Sequence, residues 1–243
     1  MYLKKTRKYG NRIEIRKYHT SRYGVKGEKR NRRQQPTPEA VARNNEREAE
    51  RRLERLLVGN FTEDDHFVTL TYRKEDRPGV EKSKEILRKF FRLMRKAYRA
   101  AGIELKYIVT TEWNKKNIHH HLVVNDMPHF NRTVSTLWKN GGIHETPMFQ
   151  GRDYAGLAEY LIKETKETFR DKENPYRQRY ACSRNLKKPE ETVEIIKASS
   201  WREIPQVPKK LQAEGYVLDV DSIEQGIDIF GYPFMEYIMV RRE

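Results

Sequence analysis

The stretch 112–124, EWNKKNIHHHLVV, restricts this chain more than any other. Residues 105–113 and 118–124 are rich in β-branched and aromatic side chains, and the polar Asn114-Lys115-Lys116-Asn117 between them is a turn signal, so a β-hairpin is expected. Folding the arms symmetrically about that turn pairs Trp113 with Ile118, Glu112 with His119 and Thr110 with His121. Residues opposite one another on antiparallel strands share a face, and so do residues two apart on one strand. Glu112, His119 and His121 therefore converge on one side of the sheet, while His120 points to the other. Two imidazoles and a carboxylate form a mixed nitrogen and oxygen ligand set suited to a divalent ion such as Mg²⁺ or Mn²⁺. A solvated polar patch is the competing reading of three consecutive histidines, and it is preferred for His120 alone.

The surroundings of that hairpin are lean and basic. Hydrophobic residues make up 36% of the 243 and charged residues 35%, which suits one domain of ordinary size with solvated extensions. The single Cys182 excludes an internal disulfide and a cysteine-based zinc site. No apolar run reaches membrane-spanning length and the N-terminus has no apolar signal core, so a cytoplasmic protein without a membrane partner is expected. Residues 1–38 hold 13 Lys/Arg against two acids, which places +11 of the net +15 there. With Tyr2, Tyr9, Tyr18 and Tyr23 interleaved, the segment is expected to be an irregular, flexible arm that binds polyanions; a solubility tail is the alternative.

Along the rest of the chain, helices are expected at about 39–57, 86–101, 131–139 and 153–169, with strands at 66–72, 143–149, 192–197 and 234–241 beside the hairpin. The order β-α-β-β-α-β followed by a helix is the split-βαβ plan. It predicts an α+β fold in which helices cover one face of an antiparallel sheet, with strands 67–72 and 118–124 as central neighbours. The core is expected over 39–173 with its leading helix, and 174–243 as an extension packed on it, because its apolar content is thin.

His119-His120-His121-Leu122-Val123-Val124, with Glu112 seven residues upstream, resembles the His-hydrophobic-His motif of the HUH endonucleases. Within that superfamily the chain is most similar to rolling-circle replication initiator (Rep) proteins of small plasmids, phages and integrative elements. The segment 157–163, LAEYLIK, resembles their Tyr-x-x-Lys motif, and residues three apart on a helix share a face, which sets Lys163 beside Tyr160. Taken apart from the hairpin, the pair would read as a boundary aromatic and a surface lysine paired with Glu159 or Glu167. The resemblance implies Tyr160 as the nucleophile and Lys163 as its phosphate-side charge, with Tyr154 as the rival. Glu164 occupies the slot of a second tyrosine, so the likeness is to the one-tyrosine type. It further implies nicking and rejoining of single-stranded or hairpin origin DNA through a 5′-phosphotyrosine.

Two other segments share the resemblance. Residues 67–72, FVTLTY, look like the first Rep motif and imply DNA contacts from Thr69 and Thr71. Residues 179–189, RYACSRNLKKP, are similar to a segment of Rep relatives, with Arg179, Ser183, Arg184, Asn185 and Lys187 as DNA-binding candidates. No phosphate-binding G-x-x-x-x-G-K-[ST] loop occurs, so a host helicase and replication machinery are expected partners. A transposase or relaxase shares the same parts, and a non-enzymatic single-strand-binding protein is the remaining alternative.

Overall fold

Two five-stranded antiparallel sheets organise the chain, one in each of two units: Met1–Gly59 with Lys188–Glu243, and Asn60–Lys187. The structure, a computed structural model, describes residues 1–20, 36–114, 117–148, 154–165, 178–201 and 205–242. Its strands are β1 (Tyr2–Tyr9), β2 (Arg12–His19), β3 (His66–Leu70), β4 (Tyr107–Asn114), β5 (Asn117–Val124), β6 (Ile143–Pro147), β7 (Ala181–Cys182), β8 (Glu190–Ile196), β9 (Tyr216–Ile227) and β10 (Pro233–Arg241). The main helices are α1 (Pro38–Asn60), α2 (Val80–Ala100), α3 (Phe130–Leu137) and α4 (Tyr154–Glu164).

The unit Asn60–Lys187 has strand order β6-β3-β5-β4-β7. Its first four strands follow the split-βαβ plan, and β3 and β5 are central neighbours as the sequence pattern requires. Alternation sorts the side chains. Val68 and Leu70 of β3, Tyr107 and Val109 of β4, and Ile118, Leu122 and Val124 of β5 share one core with Phe90, Phe91 and Met94 of α2 and Phe130 and Val134 of α3. Helix α2 begins six residues before its apolar stripe does. Its first turns are polar and exposed, with Lys84–Glu81 and Lys82–Glu85 pairs, so periodicity does not reveal them. Helix α4 lies on the opposite face of the sheet from α2 and α3, since its Tyr160 ring meets Phe67 of β3 and His121 of β5.

One close approach holds the end of β3. A Cβ at Gly141 would stand 2.2 Å from the Thr71 carbonyl oxygen, so only glycine lets the chain return here. Thr71 N donates to Gly142 O at 3.0 Å, and Gly142 N donates to Thr71 Oγ1 at 3.1 Å. At the two ends of the unit, the Asn60 amide bonds both backbone groups of Lys187, at 2.8 and 2.6 Å.

The other unit departs from the expected irregular arm and packed extension. Residues 2–19 form a hairpin, and its strands sit inside a sheet of order β8-β1-β2-β10-β9 that joins the two ends of the chain. Gly10, at φ 53°, supplies the left-handed residue of the two-residue turn Gly10-Asn11. The C-terminal residues thus find their core by pairing with the N-terminal hairpin. Ile13, Ile15, Met235, Tyr237 and Met239 are buried together on one face, with Val207, Leu211 and Leu218 against them.

On the opposite face α1 meets the sheet through ion pairs. Arg55 grips Glu14 with two bonds, at 2.7 and 2.8 Å, and Arg7 bonds the same carboxylate. Arg12 pairs with Glu54 at 2.7 Å, Arg16 with Glu236 at 2.8 Å, and Arg51 with Glu236 and Glu224 at 2.5 and 2.7 Å. Burial alone would raise the Glu14 carboxyl, but the Arg55 and Arg7 guanidiniums hold it below the ordinary carboxylate value. With Lys4 on Glu194 and Lys5 on Glu191, five of the basic residues of the expected arm are partnered within the fold. The remaining basic cluster, in 21–35, lies outside the described residues.

Candidate active site

The hairpin pairs in the register expected from its turn: Trp113 with Ile118, Glu112 with His119 and Thr110 with His121. Strands β4 and β5 therefore bring Glu112, His119 and His121 to the face that α4 meets. Glu112 Oε2 stands 3.6 Å from His119 Nδ1 and 3.5 Å from His121 Nε2. His121 is buried and its Nε2 makes no hydrogen bond, so its one free ring nitrogen is aimed at the carboxylate. Its other nitrogen, Nδ1, lies 3.1 Å from Thr69 Oγ1. A hydroxyl there fixes the ring plane and leaves Nε2 as the donor atom toward Glu112.

The middle histidine belongs to the other face. His120 is fully buried, with Nε2 bonded to the Tyr72 hydroxyl and Nδ1 to Thr111 Oγ1, both at 2.9 Å. The Trp138 ring lies edge-on beside it. Burial, with the two flanking histidines, pushes its pKa down to about 3, so it is a neutral core residue.

The trio suits a divalent ion in its chemistry, two imidazole nitrogens and a carboxylate oxygen. The buried, unpartnered Nε2 of His121 is a donor with no protein hydrogen to accept. The donors are set slightly wide. Octahedral bonds of about 2.1 Å put adjacent ligands about 3.0 Å apart, and among the described residues no group of three such side chains already has metal-holding geometry. Closure by about half an ångström at Glu112 would bring the donors to that spacing.

Helix α4 brings the tyrosine. Leu157, Ala158, Leu161, Ile162 and Tyr154 form its buried side, and Tyr160 sits at the edge of that side, 40% exposed. The Tyr160 ring stands edge-on to His121, with centroids 5.6 Å apart, and edge-on to Phe67 at 6.2 Å. Lys163 is exposed, in the last turn of the helix. Tyr154 differs in every respect. It is 2% exposed and its hydroxyl donates to Phe61 O at 3.0 Å.

The residues expected to touch DNA separate into two groups. Thr69 turns to His121, Thr71 secures the Gly141-Gly142 return, and neither hydroxyl is aimed outward alone. Ser183 exchanges bonds with the backbone of Tyr107, and Asn185 bonds Leu105 O and Glu104, which fastens the 181–185 segment along β4. Arg184 and Lys187 are exposed and Arg179 is half-buried. The structure thus brings together Glu112, His119, His121 and Tyr160, and it adds Thr69 and Phe67 to them. Register holds the signal for Thr69: it lies opposite His121 in the β3–β5 pair, just as Thr110 does in β4–β5.

Residues 65–169 match the model of a family of replication-associated proteins, the ORF2 type. That span contains the hairpin, Tyr160 and Lys163. No curated protein and no solved structure matches the chain. Among the described residues, no helix is long and apolar enough to cross a membrane.

Proposed function

We propose that this chain nicks and rejoins one DNA strand at a replication origin, with Tyr160 as the nucleophile, and so initiates rolling-circle replication. The observation that carries the reading is the meeting of the Tyr160 ring with His121, within the span that matches the replication-associated family. The phenolic oxygen of Tyr160 attacks the scissile phosphorus and the P–O3′ bond breaks. The proton lost by the phenol is balanced by one gained at the departing 3′ oxygen. The products are a 5′-phosphotyrosine and a free 3′-OH, and the covalent link retains the phosphodiester for rejoining.

Glu112, His119 and His121 would hold a divalent ion such as Mg²⁺ or Mn²⁺, whose charge would offset that on the phosphoryl oxygens. Thr69 orients His121 for this task, and Lys163, three residues from Tyr160 on the helix, adds a positive charge beside the phosphate. Tyr154, enclosed and bonded to a carbonyl, is a poor candidate for attack on a polymer. A tyrosine on a helix above a sheet cannot reach a phosphate in an intact duplex, so the substrate is single-stranded or extruded as a hairpin. A host helicase and polymerase would extend the 3′ end.

The experiment is incubation with a single-stranded origin oligonucleotide in Mn²⁺, followed by a denaturing gel. A protein–DNA band that needs the metal and vanishes in Tyr160→Phe is the expected result. Tight strand binding with no cleavage by the wild-type protein would overturn the enzymatic reading in favour of a binding module.

A further inference from the structure

On the helix-covered side of β4, away from the tyrosine, the unit Asn60–Lys187 carries a groove of about 910 Å³. Arg95 and Arg99 of α2 line one wall and Ser183, Arg184 and Asn185 the other. Arg95 and Arg99 are one turn apart, a rise of about 6 Å, similar to the step between successive phosphates of an extended strand. Arg95 is held in place by its bond to the Tyr107 hydroxyl at 3.1 Å. The acid in the groove, Glu104, is engaged by the Asn185 amide at 3.3 Å.

The arginines here contrast with those of the N-terminal sheet, which meet acids throughout. Among the described residues none of Arg95, Arg99 and Arg184 has an acidic partner, although the groove offers room for one. Three convergent guanidiniums without counter-charge are a site for a polyanion. We infer that this groove holds the phosphate backbone of the DNA strand outside the cleaved position, through charge and without reading bases. Five residues of β4 separate Tyr107 in the groove from Glu112 at the hairpin, about 17 Å of strand, which sets the bound segment several nucleotides from the scissile phosphate. The inference rests on the proposed function only for the identity of the polyanion.

The test is cleavage-free. Binding of a fluorescein-labelled 30-nucleotide single strand is followed by anisotropy in EDTA over a series of salt concentrations. The double variant Arg99→Glu/Arg184→Glu is compared with Arg88→Glu/Arg92→Glu, an equal charge change at exposed α2 positions outside the groove. Loss of two phosphate contacts should reduce the slope of log K against log salt by about 1.4 and weaken binding about tenfold or more at 0.15 M salt. The Arg88/Arg92 pair should change the slope by much less, and both proteins should melt as the wild type does. Equal slopes for the two double variants, or an unchanged slope in the groove variant, would overturn the site. A wild-type protein that forms no covalent adduct would refute the strand-transfer reading and leave this measurement standing.

Discussion

Replacing His120 by alanine should damage the fold, while the same change at its neighbours His119 and His121 should damage only the chemistry. The structure gives the size of the first effect. His120→Ala takes the imidazole partner from the Tyr72 hydroxyl inside the core, a loss of about 1–3 kcal/mol. The bond from Thr111 counts for less, because that residue is partly exposed and water can replace the ring. The void left where an imidazole packed against Trp138 adds a cavity cost, for a sum of about 3–5 kcal/mol. With a slope of about 2 kcal/mol per molar urea, the midpoint for the unit Asn60–Lys187 should fall by about 2 M. His119, about a third exposed, should cost about 0.5 kcal/mol or less as alanine. Urea unfolding followed by tryptophan fluorescence, which reports Trp138 beside the ring, measures both. A His120→Ala protein as stable as wild type, or a His119→Ala protein that is the unstable one, would refute the assignment of faces.

Three further outcomes follow from named contacts. Glu14→Gln should destabilise the sheet that joins the chain ends by about 3–5 kcal/mol at pH 7, since it leaves Arg55 and Arg7 without their carboxylate. Because the folded Glu14 carboxyl titrates below its unfolded value, its contribution is present above about pH 4.5 and is lost as pH falls through the folded value. Chemical denaturation at pH 7 and pH 3.5 should therefore show a larger acid loss for wild type than for the variant. Thr69→Val should weaken Mn²⁺ binding about 10–100-fold in calorimetry with little change in melting, as expected of a group that only orients His121. Lys163→Ala should slow adduct formation about 10²–10³-fold without abolishing it in a single-turnover assay.

The hairpin is legible in the sequence because its turn and its period-two pattern agree, and register alone then puts Glu112, His119 and His121 together. The split-βαβ order is legible for the same reason: each element carries its own periodicity. The N-terminal hairpin is not, although Gly10-Asn11 between alternating runs is a hairpin signal. Its strands alternate charged with apolar residues, and the acids that neutralise them lie far along the chain, in α1, β8 and β10. Local charge counting cannot see partners 40 to 190 residues away. The same blindness hides β9, whose Gly226 reads as a break yet stacks on Phe234 across the strand pair. The orienting role of Thr69 escapes a sequence reading because a threonine on a strand gives no cue until the neighbour opposite it is known.

The central claim is that the Tyr160 oxygen takes the phosphate. Trapped wild-type complex, digested and sequenced by mass spectrometry, should carry a 5′-phosphodeoxynucleotide on the peptide containing Tyr160, with a 3′-OH on the released strand. Tyr160→Phe should yield no adduct and should melt within a few degrees of wild type, because the ring still packs edge-on to Phe67 and His121. Tyr154→Phe should keep the adduct while losing stability, since it gives up the buried bond to Phe61. Adduct on the Tyr154 peptide, or strand cleavage that survives Tyr160→Phe without any adduct, would contradict the account.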